Sequence, residues 1–517
     1  MLRRSLLSGA AAFLAIQALP RPAHAAAPAA DRQILHVLDR LGFGPTPADF
    51  GHVKAVGIER YIAEQLAPEA IAEPPELAAR LAGFETLRLD PIELFVRYGP
   101  RLQGGGVKPS PEEIKARRQA ARIIVREAAE ARVLRALYSP RQLTEVMVDF
   151  WFNHFNVFAL KGLDHLWVGA YEEAAIRPHA LGHFRDLLRA TARHPAMLFY
   201  LDNWENSAPG SRMPNGRAAG PNENYARELM ELHTLGVDGG YSQEDVIALA
   251  RVLTGWGLAR PRMPPPDRSG FYFDPTRHDD GAKRFLGRDI AANGVAEGEE
   301  ALDRLAASPA TSRHIARKLA QYFVADTPPA GLVESLAARF RETGGDISLV
   351  LRTLFTAHEF HASIAAKYKT PYRFVLSSAR AAGLPVHNPR PLLGTMARLG
   401  MPLYGCPTPD GYKNTEEAWL SPEATTMRVS FATALAAGRL PLDRVPAVTP
   451  ATAAAPAMPE ASQMANGQAA NGPPVEADQL AMLLAPALSR RARTTIDAAE
   501  PTLRGALLLG GPDFMRH

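Results

Sequence analysis

NENYARELMELHTLGV, residues Asn222 to Val237, reads as a helix when stepped at about 100° per residue. Tyr225, Leu229 and Leu232 fall in one narrow arc, which is the face to be buried. Glu223, Arg227 and Glu231 follow at steps of four on the opposite side, the pattern of a solvated ion-pair row. Glu228 and His233 border the apolar arc on either side, about 140° apart, so they cannot hold one metal ion together. A half-buried carboxylate needs a partner, and Glu228 is therefore either a structural anchor or a tuned acid. Asn224 and Arg227 complete the polar side of the segment.

The same periodicity recurs along the chain and sets the fold class as mainly α. Helical spacing is found at 31–41, 48–66, 111–137, 141–157, 243–256, 311–324, 332–340, 347–360 and 422–437. Strand signals are rare; GFYFDPTRHDDGAKRFLG, Gly270 to Gly287, predicts one short β-hairpin on a multi-helix globular body. Residues 26–103 read as an N-terminal helical region, closed by the Gly104-Gly105-Gly106 hinge, and 107–445 as the main helical domain. The Ala- and Pro-rich tract 446–474 is too poor in large apolar residues to offset its ordering entropy and reads as a disordered loop. Residues 475–517 form a C-terminal helical piece expected to pack on the main domain.

Residues 1–25 have the form of a signal peptide: Arg3 and Arg4, an apolar run from Leu6 to Leu19, and a small-x-small site ending at Ala25. Arg3-Arg4-Ser5-Leu6-Leu7 resembles a twin-arginine export signal, with the Sec route as the alternative. Either route places the mature chain in the periplasm or outside the cell, and no later run is long enough for a transmembrane helix. Removing the leader's three arginines takes the formal charge from +4 to +1, which leaves no electrostatic footprint for nucleic acid. Cys406 is the sole cysteine, so disulfides do not hold the fold.

Two further segments carry candidate chemistry. DFWFNHFNVF, Asp149 to Phe158, sets Asn153, His154 and Asn156 among five aromatics, where polar groups need partners. His154 is a satisfied core histidine, a ligand or an acid/base group, while Asn153 and Asn156, with Asn224, Arg227, His233, Asp279 and Arg428, are candidate binding groups. Arg277 to Gly281, RHDDG, offers His278 and Asp279 on a turn, as function or as an ordinary Asx turn. HEFH at His358 to His361 has its histidines three apart, not the four of a zinc helix, and nucleotide, haem and hydrolase-elbow motifs are absent.

RLGFGPTPADF, FWFNHFNVF, the opening segment running into GGYSQEDVIALARVLTGW, FDPTRHDDGAKRFLG, HIARKLAQYFV and PDGYKNTEEAWLSPEATTMR together resemble the bacterial domain-of-unknown-function family 1800. The resemblance implies an exported, mostly helical protein, encoded beside a second family similar to sulfatases and alkaline phosphatases, which is the partner it suggests. It implies no reaction.

Two functional readings follow. One is a helical binding or assembly protein of the cell envelope whose polar motifs are buried hydrogen-bond networks. The other is an exported hydrolase, with or without a metal, acting on an envelope or extracellular polymer: Glu228 is the acid/base, His154 and His278 are further acid/base groups or ligands, and Arg227 or Arg428 holds an anionic group. The sequence names no metal and no cofactor.

Overall fold

The computed structural model describes residues 27–100, 110–211, 220–259, 267–444 and 472–517. Residues 1–25, read as a signal peptide, Gly104 to Gly106, read as a hinge, and nearly all of the 446–474 tract lie outside the described residues.

The body is helical, as the spacing predicts. The elements that position the site are α1 (Ala27–Leu41), α2 (Pro111–Tyr138), α3 (Gln142–His154), α4 (Asn224–Glu231), α5 (Gln243–Val252), α6 (Val295–Ala306), α7 (Pro309–Phe323), α8 (Pro371–Ala382), α9 (Pro422–Ala436) and α10 (Pro501–Gly510). Their ends are written in the sequence. Ser110 with Glu113 and Ser242 with Asp245 form capping boxes before α2 and α5, satisfying backbone N–H groups that the first turn leaves free. Proline at the first helical position opens α7, α8 and α9 behind Ser308, Thr370 and Ser421 caps. The expected single helix over 48–66 is two, Pro47–Val56 and Ile58–Gln65, because Gly57 breaks it.

One continuous core runs through the molecule. It joins Val37 and Leu41 of α1 to Trp151 and Phe155, to Leu319 and Phe323 of α7, and to Leu508, Leu509 and Phe514 near the end of the chain. α10 lies on α9 at close range through small residues: a methyl built on Gly505 would stand 3.2 Å from the Ala436 Cβ. The segment 515–517 runs antiparallel to 367–369, with Lys369 N–H donating to Met515 O at 2.8 Å and His517 N–H to Lys367 O at 3.0 Å. The 475–517 piece is thus bound into the main body.

The strands differ from the single hairpin expected over 270–287. β1 (Trp256–Leu258) pairs antiparallel with β2 (Phe271–Phe273), and β3 (Lys283–Phe285) pairs antiparallel with β4 (Arg288–Ile290). The tight turn sits at Leu286-Gly287, both with positive φ (48° and 74°), the geometry of a two-residue β-turn. A leucine is strained there, and Asp245 of the α5 capping box accepts the Leu286 N–H at 2.7 Å. Arg277 to Gly281, read as the hairpin tip, is instead the link between the two strand pairs.

Candidate functional site

The last turn of α3 and a loop at 405–414 are fastened together by two asparagines. Asn153 Nδ2 donates to Tyr412 O at 2.8 Å while its Oδ1 accepts the Tyr412 N–H at 2.7 Å. Asn156 Nδ2 donates to Cys406 O at 3.0 Å and to Thr408 O at 2.8 Å. Tyr200 adds a hydroxyl bond to Pro407 O at 2.9 Å. Gly411, at φ +71°, lies so close beneath that a Cβ would stand 2.2 Å from Asn153 O. The two amides, polar groups in need of partners, therefore hold the loop backbone.

Three histidines stand behind that loop. His154 is buried; its Nε2 donates to His233 O at 3.1 Å, and its Nδ1 has no partner. Its ring centre lies 6.1 Å from those of both His233 and His314. Burial, with the positive charge of Lys318 nearby and further repulsion from His314 and His233 wherever they are protonated, pushes the His154 pKa well below the ordinary value. The same causes lower His233 to about 3, and burial with Lys318 lowers His314 to about 4. All three are neutral imidazoles at neutral pH.

α4 ends at Glu231, three to four residues before its apolar pattern does. Thr234 Oγ1 donates to Leu229 O at 2.6 Å, and Gly236, at φ +86°, turns the chain beneath the His314 ring, where a Cβ would stand 2.9 Å from Nδ1. His233 consequently lies on a turn and points into the core, and the helical angle assigned between it and Glu228 does not apply. On α4 itself the ion-pair row is as the spacing predicts: Arg227 lies 3.2 Å from Glu223 and 3.5 Å from Glu231. Asn224 bonds Leu201 O at 3.2 Å.

Glu228 is half-buried, and among the described residues its carboxyl makes no hydrogen bond or ion pair. Burial, reinforced by Glu231 and Asp410 and opposed by Arg227, raises its pKa above the ordinary value. Asp410, on the fastened loop, moves the other way: burial opposes ionisation, but the Lys413 ammonium and the Thr408 hydroxyl hold its pKa low. Lys318 of α7 is also half-buried without a hydrogen bond, and burial brings its pKa down to about 8 although Asp410 opposes the shift. Asp410 is thus close enough to act on both Glu228 and Lys318.

The structure thus brings together Asn153, His154, Asn156, Glu228 and His233, and adds His314, Lys318 and Asp410, which the sequence reading did not single out. His314 and Lys318 were legible in principle, as polar residues four apart on α7 beside buried Ile315 and Leu319. Asp410 carried no local signal.

His278, Asp279 and Arg428 belong elsewhere. His278 Nε2 faces Glu297 Oε1 of α6 at 3.0 Å, Nδ1 faces Thr254 O at 2.9 Å, and Lys283 Nζ lies 2.7 Å from Glu297 Oε2. Burial opposes the charge on Glu297, yet Lys283, His278 and the Asn293 N–H hold its pKa low. Asp279 pairs with both arms of Arg251, at 2.7 and 3.1 Å. These contacts pin the strand pairs to α5 and α6 and share no partner with His154 or Glu228. Arg428 is fully buried under Tyr368 and Phe374.

The family model for proteins of unknown function DUF1800 matches residues 36–516. The chain belongs to the DUF1800 family. No curated protein and no solved structure matches it. In this DUF1800 chain no group of three or more His, Cys, Asp or Glu among the described residues is placed to hold a metal ion. Among the described residues, no helix is long and apolar enough to cross a membrane.

Proposed function

We propose that this DUF1800 protein is an exported acid–base hydrolase acting on an envelope or extracellular polymer, with Glu228 as its proton donor. The observation that carries the reading is the Glu228 carboxyl itself. It is half-exposed, unpaired among the described residues, and close enough to feel Asp410, a carboxylate that also acts on Lys318. A structural anchor would be bonded. An acid whose environment favours the protonated form can deliver a proton to a leaving group, while a neighbouring carboxylate kept ionised orients water or substrate. Asp410 has that second character, and Lys318 supplies a mobile proton and a positive charge close to neutral pH. Export rests on the leader's Arg3-Arg4 and apolar run.

The test is turnover of chromogenic esters, phosphate and sulfate esters, glycosides and peptides by wild type and Glu228→Gln. The reading expects wild type to hydrolyse one class and the variant to lose it by about 100-fold or more, without a lower Tm. Wild-type rates in the variant would overturn it.

The second reading, a helical assembly protein, has its own observation in Asn153 and Asn156, whose amides bond the backbone of the loop 405–414. On this reading the fastened loop 405–414 is a docking element for a partner such as the sulfatase- or phosphatase-like neighbour. It expects no turnover of any class and a lower Tm for Glu228→Gln.

A further inference from the structure

Six basic side chains converge where α1, residues 363–369, the start of α8 and the middle of α9 meet the tail at 515–517. Arg40 and Arg428 are fully buried, and Lys367, Lys369, Arg373 and His517 are at most 5% exposed. They form one electrostatic group. His517 lies close enough to feel Arg40, Arg373, Lys369 and Lys367, and Lys369 feels both Arg373 and Arg428.

Counter-charge is scarce. Asp326 pairs with Lys367, and Asp39 stands 3.4 Å from Lys369. The three arginines bond backbone carbonyls, Arg40 that of Ser363 at 2.9 Å, Arg373 those of Asp39 and Gly42 at 2.9 and 3.2 Å, and Arg428 that of Lys369 at 2.8 Å, and Arg373 also meets the Tyr322 side chain. Nε and Nη1 of Arg40, Nε and Nη1 of Arg428, Nη2 of Arg373 and Nδ1 of His517 are buried with no partner. Among the described residues, five cationic side chains thus share two side-chain carboxylates, and five guanidinium nitrogens are buried without a hydrogen-bond partner.

Buried charges in folded proteins are paired, because removal from water is costly unless an opposite charge and hydrogen bonds replace the hydration. Aromatic faces help here but carry no charge: Arg428 lies 4.5 Å from the Tyr368 ring centre and 4.9 Å from that of Phe374. The missing element is an anion able to accept several N–H bonds at once. A groove lies next to the cluster, reached through Arg516, the neighbour of His517, and lined by none of the six side chains themselves. Its volume is about 890 Å³, and it is lined by Gln33, Ala365, Ser489, Arg493 and Arg516. Arg516 lies over the same Tyr368 ring, 6.0 Å from its centre, that carries Arg428.

We propose that this cluster is a binding site for a tetrahedral oxyanion, phosphate or sulfate, either free or as the head of a larger ligand lying in the groove. Guanidinium forks match the oxygens of such groups in pairs, and Lys367 and Lys369 add point charge. The site is independent of the acid–base reading: it shares no residue with the group around Glu228, and either can fail without the other.

The full mature chain is dialysed against chloride and denatured, and the released solution is assayed by ion chromatography and mass spectrometry. In parallel, its melting is followed in inorganic phosphate or sulfate against chloride at matched ionic strength. The site predicts either about one retained oxyanion per chain or a saturable rise of several degrees specific to phosphate or sulfate. Inorganic anion in the released solution identifies a free ion, and a phosphate or sulfate ester identifies a ligand head. Arg428→Met should lose both effects while melting no lower than wild type in chloride, since it removes an unpaired buried charge. If that variant does not fold, Arg373→Lys, which keeps the charge and loses the fork, should weaken the oxyanion effect about tenfold or more. Absence of retained anion together with equal melting in phosphate, sulfate and chloride overturns the proposal.

Discussion

Acidification from pH 7.5 to 5.5 should weaken this fold far more than a surface-titrating protein, and the structure says by how much. His36, His194 and His233 are buried, and burial lowers each to a pKa of about 3. A histidine depressed in the fold stays neutral while the unfolded chain takes up a proton below about pH 6.5, so stability is lost as pH falls through that value toward the folded pKa. Over this window each such group costs about 1.4 kcal/mol, and the three together about 4 kcal/mol. His154, pushed in the same direction, adds to the loss. His194 isolates one share. Its Nδ1 accepts the Ala196 N–H at 3.2 Å and caps the helix Pro195–Tyr200, a role that asparagine can fill without titrating. Urea unfolding of wild type and His194→Asn at both pH values is the assay. The variant's loss between pH 7.5 and 5.5 should be smaller by about 1.4 kcal/mol. An unchanged slope in His194→Asn, or a wild type equally stable at both pH values, would refute the reasoning.

Other expectations follow from single contacts. Gly411→Ala must place a methyl against Asn153 O at positive φ, and its urea midpoint should report a loss of about 2 kcal/mol or more. Asn156→Ala releases two backbone carbonyls of the fastened loop, so limited proteolysis should cut within 405–414 faster, with about 1–3 kcal/mol lost by denaturant unfolding. Both carboxyl oxygens of Asp164 are buried without a partner, and burial pushes its pKa well above the ordinary value. A raised acid loses stability as pH rises, so Asp164→Asn should be the more stable protein at pH 7.5, with the advantage shrinking toward pH 4 in paired denaturation curves.

The fold class was legible because helices are written in local spacing and caps. Ser242 with Asp245, and proline behind Ser308, fix helix starts without any tertiary contact. Strand pairing was not legible. The partner of Phe271–Phe273 lies back at Trp256–Leu258, and the true turn uses a leucine at positive φ whose N–H is held by the distant Asp245. The site was half legible. Asn153, His154, Asn156 and Glu228 announce themselves as polar groups in apolar settings, but the loop that completes them contributes Asp410 from far along the chain. His278, equally conspicuous in sequence, is held in a separate network by Glu297 and Lys283. Local chemistry marks a residue as needing a partner, and the long-range fold decides which partner it receives.

The most direct test of the acid–base account is the unfolding free energy of Glu228→Gln relative to wild type between pH 4 and pH 8. Burial raises the Glu228 pKa and no bond holds its charge, so wild type should lose stability as pH rises through the folded pKa while the variant does not. The account predicts a variant equal to wild type near pH 4 and more stable at pH 8. A variant less stable at every pH would mean that Glu228 is an anchor of the fold, and would contradict it.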